Sequence, residues 1–333
     1  MTRATIYGAG SWATAFAQVL ADAGAERVTL WARREEVAAA IRDGHRNPDY
    51  LGDLELPPAI TATADPTEAA AGADLVVLAV PSQSLRDNLA VWGRAIPAGA
   101  PVVSLMKGIE LGTGLRMSEV MVASGLDPAR VVVVSGPNLS KEIAARQPAA
   151  TVVAGADLAT AEQVASAVAT PYFRPYTQTD VVGAEIGGAV KNVIALAVGM
   201  AEGLGYGDNT KSSLITRGLA ETARLGERLG ADPSTLMGLA GVGDLIATCM
   251  SPLSRNHRVG VALGQGTTVE QILAVPHQTA EGVKSCRSVV DLARRHGVDM
   301  PICQGVTGVV EGQVTPEQLT AALMSRARKH ERG

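Results

Sequence analysis

At 333 residues the chain is longer than one ordinary hydrophobic core supports and suits two domains. Hydrophobic residues make up 47% and aromatics only 3%, so the cores must be built from Ala, Val, Leu and Ile at close backbone spacing, which favours layered α/β structure and tightly packed helices. A net charge of -4 and a pI near 5.8 exclude a general attraction to nucleic acid or to an anionic membrane, and the one basic tract is the short tail Arg326-Ala-Arg-Lys-His330.

Cys249, Cys286 and Cys303 lie far apart in no C-x-x-C pair, which argues for a reducing compartment and against a disulfide scaffold or structural zinc. The histidines have no ligand spacing, so no metal is expected. Met1-Thr-Arg leads straight into an apolar segment without the series an export signal needs, and no uncharged apolar run is long enough to span a bilayer. These features predict a soluble cytoplasmic protein.

The first predicted element is a short strand, Ala4 to Tyr7, followed by the glycine turn Gly8-Ala-Gly-Ser-Trp-Ala13 and a helix from Thr14 to Ala23. In this strand, G-x-G-x-x-A, helix order, Gly8 permits the tight turn and Gly10 lets backbone approach a pyrophosphate. Ala13 lets the helix sit close to the sheet, and the amides at the helix start face the phosphates. The second strand, Arg27 to Trp31, ends in Ala32-Arg33-Arg34 rather than in the carboxylate that would bind a ribose 2'-hydroxyl. Arg33, with Arg34 as helper, therefore predicts that NADP(H) is preferred and NAD(H) accepted; two exposed arginines opening a helix are the plainer reading.

Near-continuous apolar runs at 74–80, 101–105, 131–134 and 150–154 read as strands buried on both faces, with helical patterns between them. The fold class predicted is α/β: an N-terminal doubly wound, Rossmann-type, mostly parallel sheet and an all-α C-terminal domain. Ligands of such sheets lie at the carboxyl ends of the strands. There stand Pro81-Ser82, which passes beside the cofactor or simply opens a helix, and Lys107-Gly108, placed for an anion or a carbonyl or else in a surface loop. Ser135-Gly136-Pro137-Asn138-Leu-Ser140 offers free amides at a helix start.

Pro171 to Tyr176 reads as the last strand, with Thr179-Asp180 capping the next helix, so residues 1–180 form the predicted dinucleotide-binding domain and 181–333 the helical substrate domain. Glu185 to Glu202 is an apolar run with small residues at helical spacing, which suits a buried helix; in it Lys191 and Asn192 cost free energy unless each has a partner. A buried lysine titrates low and becomes usable as an acid or base, whereas a snorkelling or structurally paired lysine is the plainer reading. A second helix, around 210–229, is rich in charge pairs. Gly241-Val-Gly-Asp244 places a carboxylate at a helix start, as a cap or as a partner for a lysine. Ser254-Arg255-Asn256 brings a hydroxyl, a guanidinium and an amide to another helix start, where they converge on a phosphate or simply open the helix. A further helix begins at Thr279-Ala-Glu281-Gly282, and 301–311 and 316–328 read as amphipathic helices.

Gly8-Ala-Gly-Ser-Trp-Ala, Met106-Lys107-Gly108, Ser135-Gly-Pro, Gly187-Gly-Ala-Val-Lys-Asn-Val-Ile-Ala, Ile215-Thr-Arg-Gly-Leu-Ala-Glu221, Gly241-Val-Gly-Asp244 and Ser254-Arg-Asn256, in this order over nearly the whole chain, resemble the NAD(P)-dependent sn-glycerol-3-phosphate dehydrogenases of bacteria. The resemblance implies reversible hydride transfer between nicotinamide and C2 of dihydroxyacetone phosphate or glycerol 3-phosphate, supplying glycerol 3-phosphate to phospholipid synthesis, and a homodimer. It implies that Lys191 transfers the proton, with Lys107 and Asp244 beside it. Lys107, Gly136, Asn138, Asn192, Asp244, Ser254, Arg255 and Asn256 would line the substrate pocket. Gly8, Gly10, Ser11, Trp12, Arg33, Lys107, Ser140, Arg255, Thr279 and Glu281 would meet the cofactor. Asn138, Ser140 and Thr279 depart from the commonest family pattern, each with a small polar replacement. The competing readings are a related ketoacid or hydroxyacid reductase and a non-catalytic NADP(H)-binding sensor.

Overall fold

A computed structural model describes residues 2–274, 281–327 and His330. Eight strands form one sheet: β1 (Arg3–Tyr7), β2 (Arg27–Trp31), β3 (Ile60–Thr63), β4 (Leu75–Leu78), β5 (Val102–Ser104), β6 (Val131–Ser135), β7 (Ala149–Gly155) and β8 (Phe173–Gln178), in the spatial order 3-2-1-4-5-6-7-8. The accompanying helices are α1 (Ser11–Asp22), α2 (Glu35–Gly44), α3 (Pro48–Leu51), α4 (Pro66–Ala70), α5 (Leu85–Trp92), α6 (Met117–Ala123), α7 (Ser140–Ala144) and α8 (Leu158–Val168). Successive strand residues face opposite layers, so Ile6 packs with Phe16 and Leu20 of α1 while Tyr7 packs with Leu89 and Trp92 of α5. Both faces are covered, as the continuous Val/Leu runs require.

One strand of the mostly parallel sheet is reversed, and one strand is gained. β7 runs antiparallel to β6, then pairs parallel with β8. The segment between β6 and β7 holds only the five-residue α7, too short to run back along the sheet, so the chain re-enters from the end it left. β3 is four residues at the sheet edge, parallel to β2, and no strand was expected there.

After β8 the regular elements of the described residues are all helical: α9 (Val181–Gly203), α10 (Asp208–Arg228), α11 (Pro233–Leu236), a π-turn Leu239–Gly243, α12 (Asp244–Met250), α13 (Arg255–Gly264), α14 (Val269–Leu273), α15 (Glu281–Arg295), α16 (Pro301–Val310) and α17 (Pro316–Met324). α9 is the axis of this part. Its 23 residues are apolar enough to cross a membrane, yet every residue from Gly183 to Ala201 is buried by protein. Burial is complete because α13 lies almost backbone to backbone on it: a Cβ on Gly199 would fall on the His257 carbonyl oxygen, and one on Gly260 on that of Leu196. A buried carboxylate, Glu185, fastens the start of α9 to α6, accepting from Arg116 at 2.7 Å and from the amide and hydroxyl of Ser118. Burial raises the Glu185 pKa, against the pull of Arg116.

Candidate active site

The exits of β2, β1, β4, β5 and β6 lie side by side at one edge of the sheet, because these strands are adjacent and parallel. The edge therefore carries, in spatial order, Arg33, the Gly8 turn, Ser82, Lys107 and Gly136. The chain leaves β1 toward β2 on one side and reaches β4 on the other, which is the switch point where such sheets open a crevice.

On the β5–β6 side of that edge a charged cluster closes against the helical part. Asp244, 1% exposed, is the first residue of α12 and offers each carboxylate oxygen to a different lysine. Lys191 Nζ of α9 donates to Oδ1 at 2.5 Å and Lys107 Nζ to Oδ2 at 2.6 Å. Lys191 also donates to Thr248 Oγ1 at 2.7 Å, and Lys107 to the Gly136 carbonyl at 2.9 Å. An ammonium has three donors. Each lysine thus keeps one N–H for a further acceptor, and two cations around one anion leave the cluster with net positive charge. Lys107 fits because Gly188 of α9 has no side chain: a Cβ there would stand 3.3 Å from Lys107 Cγ and 2.9 Å from Ser135 Oγ. Burial pulls the Lys191 pKa down to about 8; the Lys107 charge pulls the same way and Asp244 opposes both.

On the β1–β2 side the Gly8 amide donates to the Trp31 carbonyl at 3.1 Å, tying the glycine turn to the end of β2. Gly8 has φ 129°, open to glycine, and any Cβ there would strike the Ala79 carbonyl. A Cβ on Gly10 would meet nothing within 4 Å, and among the described residues no side chain caps the start of α1, which leaves its first amides without a side-chain acceptor. That arrangement fits a dinucleotide pyrophosphate.

Two family models cover the chain: the N-terminal part of NAD-dependent glycerol-3-phosphate dehydrogenase matches residues 3–161 and the C-terminal part residues 180–321. A Streptomyces avermitilis protein named glycerol-3-phosphate dehydrogenase (NAD(P)+) is 60% identical over 99% of this chain and 98% of its own. One of the same name from Thermobifida fusca is 57% identical over 100% and 99%. The chain belongs to the NAD-dependent glycerol-3-phosphate dehydrogenase family. The crystal structure of glycerol-3-phosphate dehydrogenase from Coxiella burnetii superposes with a TM-score of 0.93 at 33% identity, covering 98% of this chain and 99% of that one.

Within this family fold the remaining predicted residues take distinct positions. Asp244 is no helix cap; its oxygens serve the two lysines. Ser254 does cap α13, accepting from the His257 amide at 3.2 Å, and its hydroxyl proton remains to donate. Arg255 is exposed beside it and makes no ion pair among the described residues. Asn256 and Asn192 are joined amide to amide at 2.9 Å. Asn138 donates to Thr151 Oγ1 at 3.0 Å, and its buried Oδ1 has no hydrogen-bond partner among the described residues. Ser140 opens α7, half-buried.

Among the residues expected at a cofactor, Ser11 donates to the Tyr50 carbonyl at 3.3 Å, and Trp12 packs edge-on against Phe16 with a buried Nε1 that has no partner among the described residues. Arg33 is exposed and without an ion pair among the described residues, whereas Arg34 pairs with Asp49. Glu281 opens α15 and accepts from Ser82 at 2.9 Å. Thr279 lies outside the described residues.

Thr248 and the Ser135 hydroxyl were assigned no role from the sequence. Thr248 lies one turn after Asp244, and that i, i+4 spacing is the signal that could have found it. Ser135 opens the Ser135-Gly-Pro motif, but no role was read for its hydroxyl, whose Oγ is buried beside Gly188 and Lys107 without a partner among the described residues.

Proposed function

We propose that the Lys191–Asp244–Lys107 cluster carries the proton chemistry of a glycerol-3-phosphate dehydrogenase, interconverting dihydroxyacetone phosphate and sn-glycerol 3-phosphate. The observation that supports this most is the two ammoniums on one buried carboxylate, each with a donor to spare. The nicotinamide, when bound, supplies or takes the hydride at C2. Gly8, Gly10, Ser11 and Trp12 would hold the cofactor phosphates at the start of α1, with Arg33 at the end of β2 and Glu281 on α15.

In reduction, negative charge grows on the C2 oxygen. The free donors of Lys191 and Lys107 stabilise that charge, and Lys191 delivers the proton. In oxidation neutral Lys191 takes the hydroxyl proton. Asp244 holds both amines in place and keeps enough of Lys191 protonated near neutral pH. Arg255, the Ser254 hydroxyl and the second amide proton of Asn256 bind the phosphate, and this remote binding energy positions C2.

NADPH is the favoured reductant in this reading, because Arg33 is free for a 2'-phosphate whereas Arg34 is engaged by Asp49. Purified protein given dihydroxyacetone phosphate with NADPH or NADH, followed at the nicotinamide absorbance, should oxidise NADPH faster. Equal or faster use of NADH would remove the Arg33 argument, and oxidation of neither would remove the functional reading.

A further inference from the structure

The Ser82 hydroxyl, at the exit of β4, donates to Glu281 Oε2 at 2.9 Å, joining the sheet edge to the first turn of α15. Ser82 is 3% exposed and lies directly against the substrate-side loop: a Cβ on Gly108 would stand 2.5 Å from Ser82 Oγ. From the neighbour of Glu281 the hydrogen bonds run on. The Gly282 amide donates to Asn256 Oδ1 at 2.9 Å, Asn256 Nδ2 donates to Asn192 Oδ1 at 2.9 Å, and Asn192 Nδ2 donates to the Lys107 carbonyl at 3.3 Å. The path closes on Gly108, which touches Ser82. It joins two strand exits and three helices in one circuit.

The circuit has a fixed direction. A backbone N–H at Gly282 only donates, so Asn256 must present its oxygen there and its nitrogen to Asn192. Asn192 must then present its nitrogen to the Lys107 carbonyl, which only accepts. No amide can turn over without facing acceptor to acceptor.

We infer that Ser82 is a positioning residue that couples Glu281, on the cofactor side, to Lys107, on the substrate side, through this circuit. The inference rests on the placement of Glu281 and Lys107 in the proposed dehydrogenase site. A cofactor that engages Glu281 orders the first turn of α15 and with it the Lys107 loop. By linkage, substrate on Lys107 tightens the cofactor by the same factor.

The test is the dissociation constant of NADPH, read from nicotinamide fluorescence, with and without glycerol 3-phosphate, which cannot react with the reduced cofactor. Glycerol 3-phosphate should tighten NADPH on the wild-type enzyme by on the order of tenfold. Ser82→Ala, which breaks one of the two arms between Glu281 and Lys107, should reduce that ratio severalfold toward one and raise the KM for dihydroxyacetone phosphate at saturating NADPH, and Ser82→Thr, which keeps the hydroxyl, should restore both. A Ser82→Ala enzyme that binds NADPH less tightly but keeps the ratio and the KM would overturn the inference, since Ser82 would then serve Glu281 alone. So would a wild-type ratio near one. Turnover of NADPH with dihydroxyacetone phosphate on the same wild-type preparation reports the functional reading separately, and its absence would overturn both.

Discussion

Lys191 is held with a pKa of about 8 chiefly because α9 is buried along its middle, so the protonated form that its proposed role as an acid requires is lost as pH rises through that value. Reduction of dihydroxyacetone phosphate should therefore decline above about pH 8 while oxidation of glycerol 3-phosphate gains. Asp244 is the group that raises the Lys191 pKa against burial and Lys107. Asp244→Asn should consequently shift the alkaline limb of the reduction profile to lower pH, measurable from kcat against pH, and an unchanged limb would contradict the role given to Asp244. That Lys191 needs a partner was legible in the sequence, since a charge inside an apolar run demands one. Which residue answers it was open, because Asp244 behind two glycines looks equally like a helix cap. Thr248 was hidden, since a threonine inside a helix is unremarkable until its carboxylate neighbour one turn back is known to hold a lysine.

At the scale of elements, Glu221 of α10 shows how the helical part is pinned. Its oxygens accept from the Ile302 and Cys303 amides at 2.8 and 3.3 Å, capping α16 from a different helix. Burial lifts its pKa to about 7, with those amides pulling the other way. The folded state therefore binds this proton more tightly than the unfolded chain. Its contribution is fully present below the unfolded carboxyl range and is lost as pH rises through about 7. Glu221→Gln has no such titration, so the melting temperature of wild type minus that of the variant should fall between mildly acidic and mildly alkaline pH. A flat difference would contradict the assignment.

The apolar, small-residue pattern of α9 predicted its burial, and Gly199 met a matching glycine on α13, a pairing that only the folded structure reveals. β3 escaped because Ile60-Thr-Ala-Thr63 is too short to show alternation, and the reversed direction of β7 because a valine run reads the same either way.

Over the whole molecule, strand exits carry Arg33, Gly10, Ser82, Lys107 and Gly136 along one sheet edge, and α9, α12 and α15 meet that edge through Lys191, Asp244 and Glu281. The alternation of strand and helix and the helical half were legible because glycine turn, buried runs and loss of alternation near residue 180 follow one another in the chain. The convergence of Lys107, Lys191 and Asp244 was carried by family resemblance, since residues so far apart in sequence have no local signal of contact. Cofactor choice belongs to this scale too, because in the proposed reading Arg33 would meet the cofactor through the pairing of β2 with β1. Arg33→Ala should weaken NADPH on the order of tenfold and leave NADH nearly unchanged, read from the two dissociation constants. Arg34→Ala should alter neither by a comparable factor, removing only an exposed ion pair with Asp49.

The most direct measurement is steady-state oxidation of NADPH by dihydroxyacetone phosphate in wild type and Lys191→Ala, over a pH range that brackets about 8. The wild-type rate should fall through that value, and the folded variant should be slower by roughly 10²- to 10⁴-fold, without the alkaline limb. A folded Lys191→Ala enzyme with near-normal turnover and the same pH profile would contradict the proton-transfer role of Lys191.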